Sequence, residues 1–309
     1  MQKPIDLIAL GEPMVEFNQT RPGEPVYLQG FGGDTSNAAI AAARAGARAA
    51  YLTRLGADHF GDTLMALWET EGVDSRAIER DPNAATGIYF VHHGKTGHGF
   101  SYMRAGSAAS LMAPADLTAL GWTKAIASAK ILHVSGISLA ISPSACETSL
   151  QAMREARAAQ TLVSFDSNLR LKLWSLEQAR AGIAQAVALC DLFLPSLEDM
   201  AVLTGITAPD AVVDWGHRQG AKQVVLKLGE HGALVSDGVQ RQKVEGLPVK
   251  LVDATGAGDC FCGNLLARLA QGDELVAATR YANQAAALSV QGFGAVGPLP
   301  TAGQVNALL

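Results

Sequence analysis

Val252-Asp253-Ala254-Thr255-Gly256-Ala257-Gly258-Asp259-Cys260-Phe261 is the stretch on which the reading of this chain turns. Ahead of it, Lys250-Leu251-Val252 is a short run that predicts extended backbone. Behind it, Phe261, Leu265, Leu266 and Leu269 recur at helical spacing, so the stretch predicts a loop passing into a helix. Gly256, Ala257 and Gly258 then form the helix's first turn. Small residues leave the opening N–H groups uncovered, and the helix dipole points its positive end the same way, which together favour a bound anion. Asp259 beside such a site is electrostatically unfavourable unless its carboxylate has a chemical role. Taking the proton of a hydroxyl, while the amides receive the charge of a moving phosphoryl group, is such a role. The plainer reading, in which Asp and Thr only cap a helix, would suit a lone Gly-Ala-Gly. Two aspartates six apart, with Thr255 between them and glycines flanking the turn, argue for the chemical one.

Asp253-Ala254-Thr255-Gly256-Ala257-Gly258-Asp259 resembles the C-terminal signature of the ribokinase-like (PfkB-type) carbohydrate kinases. The resemblance implies that Asp259 is the catalytic base and that the amides of Gly256, Ala257 and Gly258 form an anion hole. It implies an α/β fold of three layers, a mostly parallel central sheet with a small β-sheet lid. ATP and Mg2+ are the expected cofactors.

The whole chain bounds this reading without contradicting it. At 309 residues with 49% apolar and 17% charged residues, it can bury a substantial core. A net charge of −5 gives no general attraction to nucleic acid or to acidic membranes, so an anionic substrate needs a local basic pocket. Cys146, Cys190, Cys260 and Cys262 contain no C-x-x-C pair, which predicts buried thiols and a cytoplasmic setting, not a disulfide framework or a zinc site. No signal peptide precedes Ile5, and no apolar run is long enough to span a membrane. The expectation is one domain over residues 1–309, with a lid drawn from segments 12–32 and 85–106.

Residues 5–10, ending at Gly11, read as a first strand, and two further extended pieces follow at 14–20 and 26–29. Gly32-Gly33-Asp34-Thr35-Ser36-Asn37 then leads into a helix at 38–45, with Ser36 or Asn37 as its possible cap. That segment resembles the family's N-terminal signature. There the glycines admit a sugar, and the positions of Asp34 and Asn37 bind its hydroxyls. Strand and helix follow at 49–55 and 61–71. Extended pieces at 86–93 and 100–103, joined by the Gly-rich segment 94–99, predict a hairpin. From Pro114 a βα rhythm returns, with helices at 114–129, 144–159, 176–189, 197–203 and 211–218. Apolar strands are expected at 131–134, 162–165, 192–194 and 223–228. Fully apolar strands such as Val224-Val225-Leu226 fit a parallel sheet covered on both faces. Short antiparallel strands are expected within 229–246, and a last helix at 274–290.

Rival chemistries fail at their own test positions. Gly11-Glu12-Pro13-Met14 stands where a dinucleotide fingerprint needs G-x-G-x-x-G, and neither a P-loop nor a G-x-S-x-G elbow occurs. His92 and His93, adjacent on a strand, point to opposite faces, and with His98 they read as lid-surface residues, not metal ligands.

The nucleotide half rests on Lys227-Leu228-Gly229-Glu230-His231-Gly232. It follows an apolar strand and resembles the family's K-x-G-x-x-G element beside the ATP phosphates; a plain glycine turn is its alternative. The resemblance further gives Asn168, Ser196, Asn283 and the glycines of the anion hole as nucleotide contacts. Glu198 is expected to order the water shell of Mg2+, with Ser196 where the family's N-x-x-E has Asn; a first-turn acid complementing a helix dipole is the simpler account. Asp253 and Thr255 are expected near a possible K+ site.

For the acceptor, Asp166-Ser167-Asn168-Leu169-Arg170 follows a buried strand, at the sheet edge where ligands bind. Tyr102 and Arg104 share a lid strand, and Tyr89 lies on its partner. Converging guanidinium groups of Arg104 and Arg170 would suit a carboxylate. This pattern resembles the 2-keto-3-deoxygluconate kinases of the family, with Gly33, Asp34, Asn37, Tyr89, Tyr102, Arg104 and Arg170 holding the sugar acid. Terminal-hydroxyl phosphorylation is the expected reaction; fructose, ribose or nucleoside phosphorylation, and a silent sugar-binding protein, are the alternatives. Exposed lid edges make a lid-mediated dimer plausible.

Overall fold

Alternation along β1 (Ile5–Leu10) sets the layers. Leu7 and Ala9 enter one apolar core, Ile8 and Leu10 the other, as the two-residue period of a strand requires. The computed structural model describes residues 3–94 and 97–308. Lys95 and Thr96, at the tip of the expected hairpin, and the side chain of His98 lie outside the described residues.

After β1 the chain runs through β2 (Met14–Gln19), β3 (Tyr27–Gly32), α1 (Asp34–Arg44), β4 (Ala49–Leu52), β5 (Arg54–Gly56) and α2 (His59–Glu71). Next come β6 (Glu79–Asp81), β7 (Ile88–Gly94), β8 (Gly97–Met103), α3 (Pro114–Ala119), α4 (Trp122–Ala127) and β9 (Ala129–Ser135). The middle comprises α5 (Gly136–Ala140), α6 (Pro143–Ala158), β10 (Leu162–Asp166), α7 (Leu176–Leu189), β11 (Leu192–Phe193), α8 (Leu197–Thr204) and α9 (Pro209–Gln219). The chain closes with β12 (Gln223–Lys227), β13 (Ala233–Ser236), β14 (Arg241–Val244), α10 (Ala257–Gln271), α11 (Leu275–Ser289) and α12 (Ala302–Asn306).

Eight strands form the central sheet in the order β14-β13-β12-β11-β10-β9-β1-β4, parallel from β12 to β4, with β13 and β14 antiparallel at one edge. One face carries α1, α2, α10 and α11, and the other α4, α6, α7, α8 and α9. Both faces are apolar, which is why consecutive apolar residues such as Ile131-Leu132 in β9 and Val224-Val225-Leu226 in β12 are buried together. A smaller sheet, β3-β2-β7-β8, springs from the C-terminal end of β1 through Gly11–Pro13. In it β2 and β7 are parallel and the other pairs antiparallel. The predicted three-layer α/β fold with a small accessory sheet is therefore present.

Several sequence expectations are corrected. The strand predicted at 49–55 divides at Thr53 into β4 and β5, the latter pairing with β6 in a separate two-stranded sheet. The helix predicted at 114–129 breaks into α3 and α4 at Gly121, whose φ of 73° the α-helix does not accept. The run 250–252 is not a strand, because β14 ends the sheet and Val252 N–H donates instead to Val290 O at 2.8 Å. Helix α1 begins at Asp34, not at residue 38. Its N-cap is Gly33, so Ser36 and Asn37 lie inside the first turn.

Candidate active site

The first turn of α1 is built by four consecutive polar residues, each with a distant partner. Asp34 Oδ2 accepts from Asn168 Nδ2 at 2.9 Å. The Thr35 and Tyr51 hydroxyls lie 2.8 Å apart. Trp68 Nε1 donates to Ser36 Oγ at 3.0 Å, and Asn37 Nδ2 donates to Asp259 Oδ2 at 2.8 Å. All four are buried, so a segment that reads as a solvated turn is locked into the core of the site. Gly33 makes the entry possible. Its φ is 107°, and a Cβ there would lie 2.5 Å from Glu12 O and 2.6 Å from Pro13 Cα. Only a residue without a side chain lets the two segments meet.

The partner of this turn is the start of α10. Gly256 is its N-cap at φ 75°, and Ala257, Gly258 and Asp259 form the first turn. One turn on, a Cβ at Gly263 would lie 2.2 Å from Ala38 O and 2.8 Å from Ala41 Cβ. Helices α1 and α10 therefore pack backbone to backbone, and this approach is what brings Asn37 within reach of Asp259. Asp253 ties the preceding loop down. Its Oδ1 accepts from Thr255 N at 2.9 Å and Oγ1 at 2.7 Å, and its Oδ2 from Gly294 N at 2.9 Å.

Electrostatics mark Asp259 out. Burial first, then the carboxylates of Asp34 and Asp166, push its pKa up to about 8, against the opposing pull of Asn37 and Lys227. A group in that range exchanges a proton near neutrality. Asp34 is also raised, by burial and by Asp166, with Arg170 opposing. Oδ1 of Asp34 and Oδ1 of Asn37 are buried without a hydrogen-bond partner, so the site holds unsatisfied acceptors.

The cation side comes from the C-terminal ends of the parallel strands. Lys227 Nζ pairs with Asp166 Oδ2 at 2.7 Å, and lies 3.5 Å from where a Cβ of Gly258 would be. Burial lowers the ammonium's pKa, but Asp166 outweighs it and the net shift is upward, so the charge is retained. Asn168 adopts φ 25°, a strained conformation for a non-glycine residue, while reaching Asp34. Arg170 is exposed and donates to Leu169 O at 2.9 Å.

On the small sheet Tyr89 and Tyr102 are cross-strand neighbours with rings stacked at 5.7 Å. The buried Tyr89 hydroxyl donates to Glu16 Oε2 at 2.5 Å. Arg104 does not reach out as a free surface arginine: it ion-pairs with Glu12, which is 1% exposed.

Other predicted residues are placed differently from the sequence reading. Glu198 is exposed in the first turn of α8. Its neighbour Asp199 turns inward, accepting from Ser167 Oγ at 2.8 Å and Leu169 N at 3.1 Å. Counting three residues from Ser196, as N-x-x-E requires, arrives at Asp199, which the sequence reading missed by one position. Ser196 is the N-cap of α8, accepting from Asp199 N at 3.1 Å. Asn283 spends its amide on Val244 O at 3.2 Å and Glu245 O at 3.1 Å, so it braces the backbone beyond β14. Gly232 packs on that same backbone, 2.1 Å from Val244 O by its Cβ position, whereas Gly229 stands in open space. Glu12 and Glu16 had no local signal, because each is defined by its partners in space, whereas Asp199 had the N-x-x-E spacing from Ser196.

Among the described residues no group of three or more His, Cys, Asp or Glu side chains could hold a metal ion. His92 and His93 are half-buried on the small sheet, His92 contacting the Tyr27 hydroxyl at 3.2 Å and Ser101 Oγ at 3.1 Å, and His133 is buried in β9. The four cysteines are free, and no described helix is long and apolar enough to cross a membrane.

Comparison with known proteins gives one answer at the level of family. A family model described as pfkB family carbohydrate kinase matches residues 5–302. Fructokinase-2 of Solanum habrochaites is 33% identical over 98% of this chain and 95% of its own. The 2-dehydro-3-deoxygluconokinase of Thermoproteus tenax is 34% identical over 99% of this chain and 94% of its own. A putative ribokinase II of E. coli, solved in complex with ATP and Mg2+, superposes with a TM-score of 0.88 at 25% identity, over 97% of each chain.

Proposed function

The chain belongs to the pfkB family of carbohydrate kinases, and on that premise we propose that it phosphorylates 2-keto-3-deoxy-D-gluconate at its terminal 6-hydroxyl, consuming ATP and giving 2-keto-3-deoxy-6-phosphogluconate and ADP. The observation that carries the phosphoryl-transfer half is the pairing of Asp259, half-buried and poised near neutrality, with a glycine-capped helix N-terminus. Asp259 accepts the hydroxyl proton as the new O–P bond forms. The N–H groups of Ala257 and Gly258, with Gly256 opening the turn, hold the charge on the transferring group. Lys227, ion-paired with Asp166, keeps its ammonium beside Gly258. Gly229 leaves the backbone of the β12–β13 turn open to phosphate, Gly232 lets that turn pack against residues 244–246, and Asn283 bonds the same residues 244 and 245.

Mg2+ accompanies ATP in this reading and neutralises phosphate charge when bound. The side chains fit an ion that keeps most of its waters, since no three-ligand cage exists among the described residues. In this reading Asn168, Ser196 and Asp199 would face the ion's water shell, and the exposed Glu198 would reach it only through water. A K+ ion beside Asp253 and Thr255 would have to share oxygens that already accept N–H bonds; comparing rates with and without K+ tests it.

The acid assignment rests on two guanidinium groups. Arg170 acts on Asp34 at the floor, and Arg104 lies under the small sheet with Nε buried and unpartnered. Gly33, Asp34, Asn37, Tyr89 and Tyr102 supply the hydroxyl contacts, and the small sheet acts as the lid that excludes water. A second reading, fructose, is favoured by the Glu12–Arg104 pair, which already offsets one of those charges. ADP release with 2-keto-3-deoxygluconate, fructose and ribose discriminates: the acid should give the highest kcat/KM, and a preference for fructose sinks the acid assignment. Arg104→Ala should weaken the acid about tenfold or more while leaving fructose within about twofold; equal losses for both sugars contradict it. Exposed Val26, Leu28 and Met103, on or beside the edge strands of the small sheet, support a lid-mediated dimer, which light scattering tests; the four free cysteines suit a cytoplasmic setting.

A further inference from the structure

Glu12 is a fully buried carboxylate for which the phosphoryl-transfer chemistry has no use. It sits between β1 and β2, 1% exposed, where the chain leaves the central sheet for the small one. Its Oε1 accepts from Ser107 Oγ at 2.5 Å, and its Oε2 is ion-paired with Arg104 Nη2. Arg104 follows directly on β8, and Ser107 caps the short helical turn after it. One carboxylate therefore joins the far edge strand of the small sheet to the end of β1. The pocket around it is tight. A Cβ at Gly87 would lie 2.8 Å from Oε1, and the Glu12 carbonyl oxygen would be 2.5 Å from a Cβ of Gly33.

Arg104 is held by this one edge alone. Its side chain is 10% exposed, its Cζ lies 6.0 Å from the Tyr102 ring centroid, and its Nε and Nη2 are both buried without a hydrogen-bond partner, so the Glu12 contact at Nη2 is an ion pair that holds the group by charge. Leaving a buried guanidinium N–H unsatisfied costs free energy that an incoming acceptor recovers. A long flexible side chain held at Nη2 presents its remaining donors in one orientation, and a carboxylate needs two donors at fixed spacing.

We propose that Glu12 is a positioning residue for acid selectivity: by clamping the Nη2 edge of Arg104, with Ser107 bracing the clamp, it aims the other guanidinium donors at the carboxylate of the sugar acid. The inference rests on the acid-sugar reading for its substrate, and the coupling between Glu12 and Arg104 towards the acid is measured separately from the wild type's preference between sugars.

The experiment is a double-mutant cycle on Glu12 and Arg104, reading kcat and KM separately with 2-keto-3-deoxygluconate and with fructose. Glu12→Gln keeps an oxygen acceptor and removes the charge. It should raise KM for the acid about tenfold, leave kcat within about twofold, and leave fructose unchanged, yet have no further effect in an Arg104→Ala background. Charge alone argues the other way, because freeing the cation would tighten an anion. A fall in acid KM, or losses that simply multiply in the double mutant, overturns the clamp. Ser107→Ala is the milder variant, in case Glu12→Gln fails to fold. It should raise acid KM about threefold and again do nothing once Arg104 is gone; an equal effect in both backgrounds overturns the role. A wild-type preference for fructose removes the acid reading. The cycle run on the acid, however slowly it turns over, then decides the clamp by the same criterion of coupling or additivity.

Discussion

Asn37→Ala is the perturbation whose consequence can be worked furthest. Asn37 Nδ2 donates to Asp259 Oδ2 at 2.8 Å, a hydrogen bond that stabilises the ionised carboxylate against burial and the neighbouring Asp34 and Asp166. Hydrogen bonds to charged groups contribute about 1.5–3 kcal/mol, which is about 1–2 pKa units at 1.36 kcal/mol per unit. Removing the donor pushes the pKa further above its starting value of about 8. The base must be ionised to accept a proton, so the rising limb of kcat/KM moves to higher pH by that amount. Near pH 7, below the limb, each unit costs tenfold, so kcat/KM falls roughly 10–100-fold, and the deficit shrinks as pH passes the shifted limb. A coupled assay of ADP formation between about pH 6 and pH 10 reads this directly. A uniform loss at every pH, or a limb that moves down, refutes the link between Asn37 and the proton acceptor.

Two further outcomes follow from the same geometry. Gly263→Ala forces a methyl to 2.2 Å from Ala38 O, where backbone cannot yield cheaply; it should cost about 1–3 kcal/mol, lowering Tm by a few degrees, and should reduce kcat because Asp259 lies one turn upstream. Unchanged Tm and kcat would mean the α1–α10 contact is looser than described. Asp259 itself should destabilise the fold at high pH: with a raised folded pKa its favourable contribution is present below the unfolded value near 4 and is lost as pH rises towards about 8. Asp259→Asn should therefore melt above the wild type near pH 8 and close to it near pH 4, by thermal denaturation at both; the reverse order contradicts the shift.

How much of this was legible in the sequence depends on whether the deciding physics is local. Helix α7 has the bounds its apolar period predicts, because periodicity and the Ser175 cap agree. The βα rhythm, the small sheet and the two glycine-rich turns were legible for the same reason. The break at Gly121 carried a local signal, a lone glycine, which the apolar pattern across 114–129 overrode. The run 250–252 has strand composition but no free sheet edge, and edge availability is a property of the whole sheet. Among site residues, Asp259 was readable because its turn is contiguous. Glu12 and Glu16 were not, since their partners Arg104 and Tyr89 lie on other segments, whereas Asp199 was within reach of the spacing from Ser196 and was missed by a miscount of one. That Arg104 is ion-paired with Glu12 was hidden from the sequence for the same reason as Glu12 itself.

The central claim is that one carboxylate at the start of α10 accepts the proton of the acceptor hydroxyl. Single-turnover and steady-state rates of ADP formation by Asp259→Asn test it most directly, with circular dichroism to verify that the variant is folded. The variant should lose about 10²–10⁴-fold in kcat while sugar KM changes little. A folded variant with kcat close to the wild type would contradict the claim.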